Sequence, residues 1–329
     1  MATVLHLEYV GDLAPYEFET SALKEVGATL DVARLTDGDE VVERAAEARV
    51  IWLEWTPHLT RDVLQRLPRC GLVMRWGVGY DQIDVAAATE LGIAVANAPS
   101  YCTEDVAEHA IGMLLAVSRQ IAFRHEQMRG GLWRAGKAPI RRIQGSTVGV
   151  VGLGRIGRRV AELAAALGAR VLGTDPIAPA PPGVQAVDLP TLLAESDFVS
   201  LHVPMSAENH YLIDVDTIAR MKSGAVLVNT SRGGVVSQHA LIDALSTGAL
   251  GGAALDVFEA EPLPPDSPLR SVPNLVLTCH EGANSESSLT DLRREICSAT
   301  TSWLTTGWAD SIVNPEIRTL GTERGRHVD

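Results

Sequence analysis

The sequence is short of cysteine and of positive charge, and it has no long apolar run. Its 329 residues include four cysteines, Cys70, Cys102, Cys279 and Cys297. They lie far apart and form no CxxC pair, so they are expected to be free thiols and not bridges or zinc ligands; no metal site is expected. Lys and Arg number 28 against 41 Asp and Glu, a net charge of −13. That balance argues against nucleic acid or an anionic membrane as main partner, but leaves room for an anionic small molecule at a local positive site. No stretch is long and apolar enough to span a bilayer. The opening MATVLHLEYVG has neither the basic region nor the apolar core of a signal peptide, so the cytoplasm is the expected location. The 46% hydrophobic and 21% charged fractions are those of an ordinary globular protein. The length makes two domains the default expectation.

Residues 147–158 read TVGVVGLGRIGR. A β-branched apolar run leads into Gly152-Leu153-Gly154-Arg155-Ile156-Gly157 and then into a helical pattern at Ile156, Val160, Leu163, Ala164 and Leu167. A second strand, Arg170 to Thr174, ends in Asp175. A GxGxxG alone is weak; between strand and helix, with an acid about twenty residues on, it is the dinucleotide fingerprint. Gly152 allows the turn, Gly154 lets backbone approach a pyrophosphate, and Gly157 lets the helix lie close to the strand. The helix N-terminus offers N–H groups to the phosphates. Asp175 suits the ribose hydroxyls and repels a 2′-phosphate, and no Arg or Lys follows it directly, so NAD is expected over NADP.

Upstream, Val4–Val10, Arg49–Leu53, Leu72–Trp76 and Ile93–Ala96 read as strands, with helical segments at 21–26, 61–67 and 85–91. Short apolar runs of this kind suit parallel strands covered on both faces, and a small flavodoxin-like sheet of five strands is expected. Gly77-Val78-Gly79-Tyr80-Asp81 follows the Leu72–Trp76 strand, where glycines leave backbone N–H groups open to a carboxylate. Trp55, in the loop after Arg49–Leu53, stands on the same edge and is expected to shape a substrate pocket. Asn97-Ala98-Pro99-Ser100 is a breaker cluster and a candidate hinge. A helix is then expected from Thr103 to about Met128, long enough to connect domains or to form a dimer contact. His109 within it reads as a packed histidine. The final helix is expected over about 287–303, and the polar tail 321–329 is expected to be disordered.

After the fingerprint, strands at 197–202, 225–229, 252–257 and 274–278 recur. His202 and Val203, at the end of the first, are expected among the cofactor contacts. The next three lead into Arg232, Glu261 and His280. Taken singly these are an ordinary surface Arg, loop Glu and loop His. Together, at strand ends downstream of a dinucleotide turn, they match what hydride transfer requires. An alcohol losing hydride must also lose a proton, and His280 suits that exchange. Glu261 on the far ring nitrogen would orient the imidazole and favour its charged form. Arg232 would hold a carboxylate and polarise the adjacent carbonyl.

These segments also carry a resemblance. GVGYDQIDVAAATELGIAVANAPSY, VGVVGLGRIGRRVA, SDFVSLHVPMSAENHYLI, GAVLVNTSRGGVV, GAALDVFEAEPLP and LVLTCHEG together resemble the D-isomer-specific 2-hydroxyacid dehydrogenases over about residues 75–290. The resemblance implies an α/β architecture of two doubly wound domains. In it a Rossmann NAD-binding domain, 100–286, is inserted into a discontinuous flavodoxin-like substrate domain, 1–99 plus 287–329. It implies Arg232, Glu261 and His280 as the catalytic trio, and Gly154, Arg155, Ile156, Asp175, Thr230 and Asp256 as NAD contacts. It implies that Val78 and Gly79 bind the substrate carboxylate through their backbone, and that the protein is a homodimer through the 103–128 region.

The family usually has Pro before the catalytic His, where Cys279 stands here, and often an apolar residue after it, where Glu281 stands. HEGANSESSL resembles the branch of the C-terminal-binding-protein corepressors, but an aromatic position of that branch is Ala283. The expected activity is interconversion of a 2-oxo acid and a D-2-hydroxy acid. Two alternatives stay open: an NAD(H)-sensing binding protein like those corepressors, and oxidation of a phosphite-type oxyacid. Formate dehydrogenases of this fold carry Gln where Glu261 stands, which argues against formate.

Overall fold

The computed structural model describes residues 2–9, 15–133 and 140–319. The chain divides into two compact units, Met1–Cys102 with Ser285–Asp329, and Thr103–Asn284. The second is an insertion within the first. The expected boundaries were at 100 and 287.

The first unit is built on β1 (Ala2–Leu7), β2 (Ala28–Ala33), β3 (Ala48–Leu53), β4 (Leu72–Arg75) and β5 (Ala94–Ala96), in the order β2-β1-β3-β4-β5. All pairings are parallel. Helices α1 (Glu17–Glu25), α2 (Gly38–Arg44), α3 (Arg61–Gln65) and α4 (Val85–Glu90) lie between them. This is the flavodoxin-like order, and it reverses between β1 and β3. Leu5, Leu7, Ile51, Leu53 and Val73 form one core layer. Val4, Val50, Trp52, Leu72 and Met74 form the layer on the opposite face, against the returning helix Glu286–Thr306. The alternation of these residues along each strand is why the strands read as continuous apolar runs. Trp52 donates its indole N–H to Thr300 Oγ1 at 2.8 Å, tying that helix to β3. Arg293 of the same helix pairs with the buried carboxylate of Glu19 on α1.

Among its described residues the second unit has seven strands: β6 (Thr147–Val151), β7 (Arg170–Thr174), β8 (Val184–Ala186), β9 (Phe198–Leu201), β10 (Ala225–Asn229), β11 (Leu250–Leu255) and β12 (Leu275–Leu277). Their order is β12-β11-β10-β9-β6-β7-β8, all parallel, with the reversal at β6 between β7 and β9. This is a Rossmann sheet. Its helices are α5 (Thr103–Ser118), α6 (Ile121–Arg129), α7 (Arg155–Ala166), α8 (Leu189–Glu195), α9 (Val215–Ile218) and α10 (Gln238–Thr247). Ser237 caps α10 through Ala240 N, and Gly248 ends it in the left-handed region.

Two expectations are corrected. The single helix over 103–128 is two helices, because Gln120 is left-handed at φ 56°. The apolar stripe Val106, Ala110, Met113, Leu114 and Val117 is buried, whereas α6 buries no residue and Ile121 is 55% exposed. Packing that holds the first helix straight therefore stops at its end. Strands β2 and β8, not singled out from the sequence, are outer edges of their sheets and are largely half-buried or exposed. The first strand ends at Leu7; Val10 and the tail 321–329 lie outside the described residues. None of the four cysteines is in a disulfide, and only Cys279 is exposed. Among the described residues no helix is long and apolar enough to cross a membrane.

Candidate active site

The glycine turn leaves β6, buried along its whole length, and enters α7. Gly152 has φ 91°, and a Cβ there would run into the carbonyl of His202. A Cβ on Gly157 would run into the carbonyl of Gly152. Both glycines are therefore required by close backbone approach. Gly154 is the N-cap of α7, no side chain caps that end, and a Cβ there would meet nothing within 4 Å. This open helix N-terminus is where a pyrophosphate fits. Arg155 is exposed beside it, and Ile156 is partly buried against the α5–α7 core layer.

Asp175 turns back over this turn. It accepts from Leu153 N at 2.7 Å, Ile177 N at 2.8 Å and Ala178 N at 2.7 Å. Burial opposes its ionisation, but the Ala178, Ile177 and Leu153 amides and the charge of Arg158 outweigh that and hold the carboxyl below its ordinary range. The acid is thus ionised and fixed in place. His202 and Val203 back the turn: His202 Nε2 is 2.8 Å from Ser200 Oγ, and desolvation pushes the imidazole down to about 4. Thr230, after β10, has its Oγ1 buried without a hydrogen-bond partner. An unsatisfied buried hydroxyl is costly, and a bound polar ligand would satisfy it. The open N-cap, the fixed acid and this hydroxyl fit a dinucleotide.

Arg232, Glu261 and His280 follow β10, β11 and β12, which are neighbours in the sheet. The buried side chain of Asn229 shapes the first turn: it accepts from Ser231 N and Oγ, and donates to the Arg232 carbonyl at 2.9 Å. Arg232 Nη1 donates to the Ser231 carbonyl at 2.8 Å. A Cβ on Gly233 would run into the Phe258 backbone, so the β10 and β11 loops are in contact there. Glu261 Oε1 accepts from Phe258 N at 2.8 Å, and its Oε2 lies 2.7 Å from His280 Nδ1. With Glu261 ionised, that bond holds the ring proton on Nδ1 and makes Nε2 the acceptor of a neutral imidazole. His280 has φ 60°, unusual for a residue other than glycine, and its N–H donates to the Asp256 carbonyl at 2.7 Å.

Asp256 is 2% exposed. It accepts from Thr278 Oγ1 at 2.6 Å and from the amides of Glu281 and Gly282, both at 2.9 Å. His109 Nε2 lies 3.4 Å from it. Burial opposes ionisation of Asp256, but the bonds from His109, Thr278 and the two amides outweigh it and hold the carboxyl well below the usual carboxylate range. The residue implied as an NAD contact is thus first of all the anchor of the His280 turn. Sequence reasoning missed this; the one signal was an acid at the end of an apolar strand.

In the first unit, the Gly77–Gly79 turn follows β4. Gly77 has φ 143°, and a Cβ there would lie 3.0 Å from Arg75 Nη1. Arg75 is buried, donates to the Trp76 carbonyl, and stacks 5.1 Å from the Trp55 ring. Asn97 Nδ2 donates to the Val78 carbonyl at 2.7 Å. Arg75, and Asn97, which the sequence marked only as part of a breaker cluster, brace the turn and the tryptophan beside it.

Residues 111–282 match the model of the D-isomer-specific 2-hydroxyacid dehydrogenase NAD-binding domain. The chain belongs to the D-isomer-specific 2-hydroxyacid dehydrogenases. It is 39% identical to D-3-phosphoglycerate dehydrogenase of Methanocaldococcus jannaschii over 276 residues, 82% of this chain and 52% of that protein. It is 41% identical to glyoxylate reductase of Korarchaeum cryptofilum over 253 residues, 74% of this chain and 76% of the relative. The solved D-lactate dehydrogenase of Aquifex aeolicus, in complex with NAD and lactic acid, matches with a TM-score of 0.82 and 29% identity. That match covers 92% of this chain and 95% of the other. The chain spans about half the length of the phosphoglycerate dehydrogenases it matches. For this dehydrogenase family the cofactor of the matched domain is NAD, in keeping with the fit of the glycine turn.

Proposed function

We propose that the protein interconverts a 2-oxo acid and a D-2-hydroxy acid, with His280 as the acid/base. The observation that carries this is the 2.7 Å His280–Glu261 contact at adjacent strand ends of an NAD-binding sheet. Bound nicotinamide supplies or accepts the hydride. His280 Nε2 takes the hydroxyl proton in oxidation and returns it in reduction. Glu261, fixed by Phe258 N, holds the ring orientation and stabilises its charged form. Arg232 polarises the carbonyl oxygen. Val78 and Gly79 take the substrate carboxylate on backbone N–H groups, and Trp55 bounds the pocket.

Asp175 selects NAD by receiving the ribose hydroxyls; an Asp175→Ala variant with an unchanged NAD-to-NADP ratio would overturn that role. The homodimer is supported by exposed apolar residues on and after α6, including Phe123, Met128 and Trp133 at 50%, 51% and 79% exposure. Sedimentation of Phe123→Glu as the same species as the parent would count against it. The cytoplasm remains the proposed location, checked by fractionation of cells expressing the full chain.

The decisive test is NADH oxidation with a panel of short, branched and phosphorylated 2-oxo acids. Turnover with one of them is expected. Tight NADH binding with no turnover on any of them would overturn the proposal in favour of an NADH-sensing protein.

A further inference from the structure

His109, on α5, has no part in the trio, yet it faces the turn that carries His280. Its Nε2 lies 3.1 Å from Thr278 Oγ1 and 3.4 Å from Asp256 Oδ1. Thr278 Oγ1 is itself 2.6 Å from Asp256 Oδ1, so the hydroxyl proton goes to the carboxylate and Nε2–H of His109 is the donor to both oxygens. A Cβ on Gly282 would lie 3.5 Å from His109 Cδ2 and 3.0 Å from Asp256 Oδ2, so the far end of the turn closes onto the same two residues. Between Thr278 and Gly282, the turn makes four hydrogen bonds to Asp256, from the Thr278 hydroxyl and the amides of His280, Glu281 and Gly282. These bonds hold His280 at φ 60°, a conformation that a residue other than glycine keeps only when its surroundings impose it.

We propose that His109 is a positioning residue for His280: by donating to Asp256 and Thr278 it locks the 278–282 turn in the conformation that meets Glu261. The proposal rests on the acid/base reading of His280 for its kinetic consequence, but not for its structural one. Removing the imidazole leaves the Asp256 carboxylate and Thr278 hydroxyl less constrained, and the turn can relax away from the left-handed geometry. Glutamine at 109 keeps an N–H donor at similar reach without the ring or any charge.

The test uses the full chain with His109→Ala, His109→Gln and Thr278→Val. Two readouts are taken: steady-state kinetics with NADH and the best 2-oxo acid, and hydrogen exchange at the Glu281 and Gly282 amides. His109→Ala is expected to lower kcat by roughly ten- to a hundred-fold with KM for NADH within about threefold. Its Glu281 and Gly282 amides are expected to exchange at least about tenfold faster. Thr278→Val is expected to follow it in both readouts, and His109→Gln to recover most of both. Unchanged exchange in His109→Ala would overturn the proposal, as would a glutamine variant no better than alanine. If exchange responds as expected while His280→Gln stays fully active, the positioning role stands and the acid/base assignment falls.

Discussion

Two histidine–carboxylate pairs lie at the β11–β12 end of the inserted domain, and they differ in burial. In the His280–Glu261 pair the side chains are 23% and 30% exposed and 2.7 Å apart. In the His109–Asp256 pair the histidine is 24% exposed, but the carboxylate is 2% exposed and the contact is 3.4 Å. Glu261 has one backbone partner, Phe258 N, besides its histidine. Asp256 accepts from Thr278 and two successive amides as well as from His109. A carboxylate with few other bonds can respond when its histidine gains or loses a proton. One saturated by fixed donors is committed to staying ionised and to holding the chain around it. In the reaction we propose, the same two residue types serve proton exchange in one place and geometry in the other.

The comparison can be broken at the exposed pair first. His280→Gln is expected to lower kcat by about 10³- to 10⁴-fold while NADH affinity changes less than about threefold. Turnover near the parent value would remove His280 from proton exchange. Glu261→Gln keeps the side-chain shape but lacks the charge that stabilises the imidazolium. A loss of roughly a hundred-fold in kcat is expected, with the urea midpoint of unfolding scarcely moved.

The buried pair should show the opposite balance. Asp256→Asn turns an acceptor into a donor opposite an amide N–H, and a destabilisation of about 2–3 kcal/mol is expected in urea titration. The pH dependence follows from the depressed carboxyl. Its contribution to stability is present above the usual carboxylate value and is lost as pH falls through its lower folded value. The asparagine variant should lack that acid-side loss; an unchanged acid limb would mean that Asp256 is not the group responsible.

His202 sharpens the contrast, because its partner is the Ser200 hydroxyl and no carboxylate favours its charge. With the folded value near 4, it stays neutral in the protein while the unfolded chain takes up a proton below about pH 6.5. Its contribution is therefore present above about pH 6.5 and lost as pH falls towards 4, on the order of 2 kcal/mol allowing for partial solvent access. His202→Asn should flatten stability over that window, and an identical slope would discount the histidine.

Legibility from sequence followed burial. Strands covered on both faces, such as β3, β4, β6 and β10, were readable as apolar runs, while the edge strands β2 and β8 were not. The apolar stripe of α5 was readable to Val117, but the break at Gln120 was not, because the helical pattern at Ile121 continues where the packing does not. Within the site, the residue types at the strand ends stood out from the sequence. The brace of Arg75 against Gly77 and the convergence of His109, Thr278 and Asp256 did not.

By itself the sequence determined the glycine turn with its acid, because the tight turn, the close helix and the strand leading to Asp175 are all local. It also determined that Arg232, Glu261 and His280 would stand at strand ends. The pairing of Glu261 with His280 was expected from the sequence; only the tertiary structure decided that His109 meets Asp256 and Thr278. Glu261 and His280 are separated by 19 residues, and Asp256 and Thr278 by 22. His109 and Thr278 are separated by 169. Parallel strand order brings such residues together, and no periodicity in the chain encodes which of two acids will be buried and saturated and which left able to respond.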